Sequence, residues 1–564
     1  MTPGGVGGSA LTWRLRVGFW GLACVLGALQ AWAYRNYINP DGISYLDIGD
    51  AYFRGDWTGA INLTWSPLYS LLMGAAMRLV RPSVEWEFPL VHVVNLAVFL
   101  AALASFEFFL RALPRRLGQD PQSPAWSHVG WGYALFLTAT LGLTNLATVT
   151  PDMLVVATAF LVAGMLLRFA DGVVRLRWFV GFGAVLALGY LAKTVMFAVA
   201  LASFALAGAA IGDLRRSLPR VLAAVGVFAL VTGPFIGVLS VTAGRFTVGE
   251  AGRLAYVFAV NREYQPPMFR FESARPLSWL PLHPPQKVLD EPAVYEFGSS
   301  VPGTFPLWYD PWHWHRDVRV QLHLDRQIAA IRDALGDYWR ILIRMAPLML
   351  GLFGLVALTG RRWFREIRAR RVSVLSAWAG TPLVLYALIH VEPRYVSGFL
   401  AILSLGFLSA VRVSDRGVVR RAAAAISICA VILQVLWVGR SVIYEVAHEV
   451  KAIIINDETA NRHSNAARAL RDLGIRPGDR VAVAGGYFKA GWARLARVRI
   501  VAVVDDPAGL TCWVSVPSCR ERLAATLAAT GAVILVVENP PARVVGTSEW
   551  RRLGVTQFYA YSLR

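Results

Sequence analysis

The strongest constraint in the chain is a recurrence of apolar segments that suit hydrocarbon better than water. They run near 17–34, 88–112, 127–148, 152–170, 178–192, 194–212, 219–241, 341–360, 372–390, 394–412 and 421–443, and about 20 helical residues cross the ~30 Å interior of a bilayer. Composition agrees, with 56% of residues hydrophobic and 16% charged, beyond the roughly 45–50% apolar share of soluble domains. The sequence predicts a polytopic α-helical membrane protein with eleven transmembrane helices, of which 178–192 is short. Arg14 and Arg16 precede the first run and no small-residue cleavage site follows it, so it reads as a retained helix, not a signal peptide. The apolar stretch 65–80, opened by Trp65-Ser66-Pro67, is too short for a span and is assigned to the membrane interface.

A net charge of +20 would suit nucleic acid if the arginines formed one patch. They fall instead into short connections: Arg111, Arg115 and Arg116; Arg168, Arg175 and Arg177; Arg215, Arg216 and Arg220; the run 361–371; and Arg412, Arg416, Arg420 and Arg421. All five connections lie on the side of Arg14 and Arg16, which the positive-inside rule makes cytoplasmic. Nucleic acid is therefore not a partner. Placing 65–80 in the bilayer would invert every later connection.

The opposite face collects a different chemistry. The first loop, 35–87, carries Asp41, Asp47, Asp50 and Asp56 among aromatics, Gly and Pro; Thr150-Pro151-Asp152, Ala192-Lys193-Thr194 and His390-Val391-Glu392-Pro393-Arg394-Tyr395 reach the same rim. A large loop, 242–340, holds the aromatic run Pro306 to His315, read either as an interfacial belt or as a platform for a sugar or lipid, and an amphipathic helix marked by Val320, Leu324, Ile328, Ile331 and Leu335. Its histidines show no fixed ligand spacing. Residues 1–445 form the transmembrane part; 446–564 turn globular, with helices near 457–473 and 518–530 and buried strands at 480–484, 498–504 and 532–538, a small α/β domain like a partial doubly wound sheet. Cys512 and Cys519 lie in that domain, outside the cytoplasm by topology, where a disulfide between them would persist.

The first-loop motifs Pro40-Asp41-Gly42-Ile43-Ser44-Tyr45-Leu46, Gly55-Asp56-Trp57 and Trp65-Ser66-Pro67-Leu68-Tyr69 resemble those of bacterial GT-C integral-membrane glycosyltransferases, such as protein O-mannosyltransferases and the lipid A aminoarabinose transferase. Thr150-Pro151-Asp152, Gly189-Tyr190-Leu191-Ala192-Lys193-Thr194 and His390 to Tyr395 fit patterns common there, and the resemblance covers most of the first 450 residues. It implies a bacterial inner-membrane enzyme that takes a sugar from a polyprenyl-phosphate donor and passes it, with inversion, to a glycan, lipid or protein acceptor on the periplasmic side. Inverting transfer needs a base for the acceptor hydroxyl and cations for the leaving phosphate. Asp41 is the candidate base, with a divalent metal at its carboxylate as the alternative implied by the family; no Asp-x-Asp pair decides between them. Lys193 and Arg394 are candidates for the phosphate, or simply snorkel to the interface. Asp152, His390, Glu392, Tyr395 and Trp65 are assigned to substrate, against a helix cap for Asp152 and a local ion-pair network for His390 and Glu392. Asp47, Asp50 and Asp56 read as turn or capping residues.

Two other classes remain at this stage, a lipid-linked-sugar flippase or other transporter and a non-catalytic scaffold. A transporter predicts ionisable groups inside the spans and paired halves; no repeat is found, and Glu107 is the main such charge between 88 and 241. The topology is testable with reporter fusions. One placed after Arg368 is expected in the cytoplasm and one after Gly478 outside it, and finding both on one side would remove the shared rim.

Overall fold

The computed structural model describes residues 4–113, 125–262, 283–297, 301–316, 318–414, 416–455, 461–485, 489–505, 513, 516–542 and 549–564. Each of the eleven apolar segments is occupied by a helix. Among the described residues, five helices are long and apolar enough to cross a membrane: Ala10–Ala33, Glu87–Leu110, Asp152–Ala170, Leu214–Ala243 and Gly417–Ile454. A sixth arises if Leu324–Arg344 and Ala346–Thr359, bent by 86° at their junction, count together. Leu176–Ala192, Met196–Ile211 and Pro393–Ser409 are shorter apolar helices packed among them. The chain is thus a multi-pass membrane protein. Glu107, the main charge within the spans between 88 and 241, is buried and bound by Arg16, Arg111 and Tyr133, which makes it a packing ion pair.

The first loop folds into two stacked helices, Pro40–Arg54 and Pro67–Val80. Proline supplies a fixed φ and no N–H at a helix start, and Gly55 ends the first helix at φ 75°, a left-handed conformation that glycine adopts at little cost. The two cross at Gly49 and Gly74: a Cβ on Gly49 would lie 2.6 Å from the Ser70 carbonyl oxygen, and one on Gly74 would lie 2.6 Å from that of Gly49. Asp56 caps the short helix Trp57–Ala60, its side chain accepting from the Gly59 N–H, as a turn aspartate does. Asp47 and Asp50 do something else, described below.

The C-terminal region contains the strands read from the sequence and more. Among the described residues one sheet has seven strands, β1 (Gln286–Leu289), β2 (Val294–Glu296), β3 (Arg480–Ala484), β4 (Arg499–Val504), β5 (Ile534–Glu538), β6 (Trp550–Arg552) and β7 (Phe558–Ser562), in the order β1-β2-β4-β3-β5-β7-β6. The predicted three, β3, β4 and β5, form the parallel centre; their Val, Ile and Ala runs are buried on both faces, as central parallel strands require. The outer strands pair antiparallel. The β1–β2 hairpin belongs by sequence to the 242–340 loop, so the sheet is not confined to 446–564. One face of the sheet packs on the helix Pro517–Ala529 through Leu523 and Leu527; the other shares a core with Ile43, Leu46 and Ile48 of the Pro40–Arg54 helix. Nor does the boundary at 445 break a helix, since Gly417–Ile454 runs through it.

The aromatic run is core. Leu307, Tyr309 and Trp314 are buried in one core with the first loop and the sheet, and Trp312 is buried beside Leu63, Leu239 and Leu254, which displaces the belt reading; Trp308, Asp310 and His313 stay partly open. The amphipathic helix spans Leu324–Arg344 and turns Leu324, Ile328 and Leu335 outward. Cys24 and Cys429 are free and Cys519 is disulfide-bonded; Cys512 lies outside the described residues.

The Gly49–Gly74 crossing positions the helix that carries Asp41. Gly74→Ala must separate two backbones, and overpacking of this kind costs about 1–3 kcal/mol. A lowered thermal midpoint of the purified protein in detergent is expected; an unchanged midpoint would mean that the crossing relaxes freely.

Candidate active site

Three helix starts converge at one point, and each is written in the sequence as proline followed by a charge. Asn39-Pro40-Asp41 opens Pro40–Arg54, Thr150-Pro151-Asp152 opens Asp152–Ala170, and Glu392-Pro393-Arg394 opens Pro393–Ser409. The residue before proline is driven out of the helical region, and Asn39 (φ −88°, ψ 162°) and Glu392 (φ −117°, ψ 147°) are extended accordingly. Asn39 then joins two of the starts, its side-chain oxygen accepting from the Val149 N–H at 2.8 Å. Gly42 allows the approach, since a Cβ there would lie 2.7 Å from that of Val149.

Arg394 occupies the centre. Its Nε donates to Glu392 at 2.7 Å and lies 3.6 Å from Asp152, while Nη1 donates to Asp41 at 3.3 Å. Lys193, just past the helix Leu176–Ala192, donates to the other Asp152 oxygen at 2.5 Å and sits 3.5 Å from the Tyr395 ring centroid. Tyr395 stacks on Tyr386, with centroids 5.1 Å apart. His390 lies 3.6 Å from the Glu392 carboxylate. Thr150 donates to Asp152 at 2.8 Å.

Exposure separates these groups. The Asp152 side chain is 3% exposed, beneath Lys193, whereas Asp41 and Arg394 are each 17% exposed and Lys193 23%. Glu392, at 35%, is open as well, but Arg394 binds it at 2.7 Å, so Asp41, held by Arg394 at the longer 3.3 Å, is the more loosely held of two open carboxylates beside the two cations. Burial pushes the Glu392 carboxyl up, but His390 nearby and the hydrogen-bonded Arg394 guanidinium outweigh it and hold it at about 2.

Trp65 does not reach this cluster directly. Its indole N–H points at the Trp308 and Tyr309 carbonyl oxygens, 3.2 and 3.1 Å away, and its ring packs edge-on against Trp308. Trp308 in turn donates its indole N–H to Asp41 at 3.0 Å. That contact was not legible, because Trp308 lies 267 residues from Asp41 in a run whose composition suggests only a belt. Tyr386 and Thr150 were missed as well; Thr150 could have been found from its place in the Thr-Pro-Asp motif.

No group of three His, Cys, Asp or Glu side chains among the described residues is placed to hold a metal ion. Arg394 stands among Asp41, Asp152 and Glu392, so these carboxylates are turned to a guanidinium. The residues present do not fit a metal at Asp41.

The opposite side of the same helix carries a second knot. Asp50 is nine residues from Asp41, about 180° around at 100° per residue. Arg494, 2% exposed, binds Asp47 at 2.6 Å, Asp50 at 2.7 Å and Glu87 at 2.7 Å, and Arg497 adds Asp50 and Glu87 at 2.8 and 2.7 Å. Asp47 also accepts from the Thr304 N–H at 2.7 Å. Asp47 and Asp50 therefore dock the C-terminal sheet region onto the first loop, where the sequence suggested turn residues.

The membrane helices, the two-helix first loop and the sheet packed on it together make a fold that solved structures share. Two solved structures share it along nearly their whole length. The crystal structure of ArnT from Cupriavidus metallidurans in the apo state matches 99% of this chain and 98% of its own, with 15% identity and a TM-score of 0.50. The same enzyme bound to undecaprenyl phosphate matches 97% and 98%, with 14% identity and a TM-score of 0.53. No family model matches the chain, and no curated protein matches it. At this identity the likeness establishes the fold.

Glu392 gives the site a pH signature. Its carboxyl at about 2 lies below the 4.5 of an unperturbed glutamate, so its contribution to stability is complete above that range and is lost as pH falls from 4.5 towards 2. Between about pH 5 and pH 3, the wild type is expected to lose thermal stability more steeply than Glu392→Gln. Parallel acid limbs would show that the carboxylate is not held by Arg394 and His390.

Proposed function

We propose that this chain is a membrane glycosyltransferase that moves a sugar from a polyprenyl-phosphate donor to an acceptor hydroxyl on the non-cytoplasmic face, with inversion. The observation that carries this reading is the placing of Asp41, the more loosely held of two open carboxylates, beside two cations, Lys193 and Arg394, at converging helix ends. Shared fold with an enzyme crystallised with undecaprenyl phosphate supports the donor class.

In this reading Asp41 takes the proton of the acceptor hydroxyl as the oxygen attacks the anomeric carbon. The bond from that carbon to the phosphate oxygen breaks, and its electron pair leaves on the polyprenyl phosphate. The phosphate gains one negative charge in this step, and Lys193 and Arg394 are the groups to receive it. Asp152 orients Lys193, Glu392 holds the far edge of Arg394, and Trp308 fixes the angle of the Asp41 carboxylate. The Asp41–Arg394 contact, at 3.3 Å, is the looser of the two arginine hydrogen bonds to carboxylates. A phosphate entering beside Lys193 takes over that guanidinium edge and releases Asp41 to act as base. Tyr395 and His390 flank the space for the sugar.

The test is a contrast between variants. Asp41→Asn keeps the size and hydrogen-bonding reach of the side chain but cannot accept the proton, so turnover is expected to fall by about 10²- to 10⁴-fold with donor affinity little changed. Lys193→Ala and Arg394→Ala are expected to weaken donor binding and turnover together, because the phosphate is charged before and after transfer. Transfer of radiolabelled sugar from polyprenyl-phosphate donors and direct binding of polyprenyl phosphate give the two readouts. Near-full turnover in Asp41→Asn would dismiss the base assignment, and absence of transfer with every such donor would dismiss the enzyme.

A further inference from the structure

A cavity of about 720 Å³ opens between the first-loop helices and the C-terminal sheet region, on the far side of the Pro40–Arg54 helix from Asp41. Six arginines line it: Arg54, Arg78, Arg81, Arg494, Arg497 and Arg499. Against them stand two carboxylates, Asp47 and Asp50, and both are committed to Arg494 and Arg497. None of Asp41, Lys193 and Arg394 lines the cavity. The two sites share a wall, because Trp308 binds Asp41 while its neighbour Tyr309 lines the cavity.

Two observations point to a missing anion. First, the side chains of Arg54, Arg78 and Arg81 make no hydrogen bond or ion pair among the described residues, although like charges gathered on one cavity repel unless a counter-charge joins them. Second, the buried Arg494 has an Nη2 and Arg499 an Nε with no hydrogen-bond partner, and a buried donor left unpaired is costly. Guanidinium groups bind phosphate oxygens in pairs. A volume in the range of ligand sites, roughly 300–1,000 Å³, admits more than a lone ion. The rim bears on the membrane surface too: Leu79 and Val80, next to Arg78 and Arg81, are 83% and 59% exposed.

We propose that this cavity is a second anion site, which binds a phosphate or oligophosphate group brought either by a lipid headgroup or by a soluble molecule. The inference stands on the arginine cavity alone and does not depend on the transfer reaction. Tripolyphosphate is titrated into the full-length protein in detergent by calorimetry, and phosphatidylglycerol is compared with phosphatidylcholine by counting lipid adducts in native mass spectrometry. Arg54→Ala/Arg78→Ala/Arg81→Ala is expected to weaken tripolyphosphate binding by about tenfold or more, to reduce phosphatidylglycerol adducts, or both. Added polyprenyl phosphate, directed at Lys193 and Arg394, is expected to leave the probe binding that depends on Arg54, Arg78 and Arg81 in place, which separates this cavity from the candidate active site. Loss confined to tripolyphosphate identifies a soluble source, and loss confined to phosphatidylglycerol a headgroup. Arg78→Gln and Arg81→Gln, single changes at exposed positions, are expected to act in the same direction if the triple variant fails to fold. Wild-type binding of both probes in folded arginine variants, or no binding by the wild type, overturns the proposal.

Discussion

Arg394 sits where a helix tolerates a cation least. The first turn of Pro393–Ser409 is the positive end of its macrodipole, which favours anions, and only Asp41, Asp152 and Glu392 make the position tenable. Two of those carboxylates occupy the first turns of their own helices, where the dipole favours them. A cation that its own helix disfavours therefore becomes the joint between three helices that the chain separates by hundreds of residues. The arrangement fixes Asp41, Lys193 and Arg394 relative to one another without any of them being buried beyond a ligand's reach.

Much of this was legible because the chemistry is written at proline. A proline followed by a charge announces both where a helix starts and which side chain stands at its mouth, so Asp41, Asp152 and Arg394 could be singled out before any contact was known. Lys193 was legible by its place between two apolar runs. The contacts between them were not, because no local pattern encodes which helix mouth meets which. Asp47 and Asp50 show the limit most clearly. An aspartate three residues from another on a short polar helix looks like a turn residue, and nothing nearby reveals that Arg494, over 440 residues on, will bind both.

Strands were legible in proportion to their burial. β3, β4 and β5 are continuous apolar runs because the parallel centre of the sheet is covered on both faces. β6 and β7 carry Arg and Tyr at their open positions, and β1 is mostly exposed, so composition alone leaves them looking like loop. The aromatic run before His315 misled for the opposite reason. Trp and Tyr at a membrane rim look interfacial, yet here they fill the core between the first loop and the sheet.

The β1–β2 hairpin changes what counts as an exchangeable part of this protein. Its inner neighbour in the sheet is β4, some two hundred residues later, while twelve residues beyond β2 the same segment delivers Trp308 to Asp41. A graft or truncation cut at 445 would take away β4, leave the hairpin an unpaired edge, and loosen the segment that orients Asp41. The hairpin and the C-terminal strands form one unit, and a chimera must carry both pieces across together.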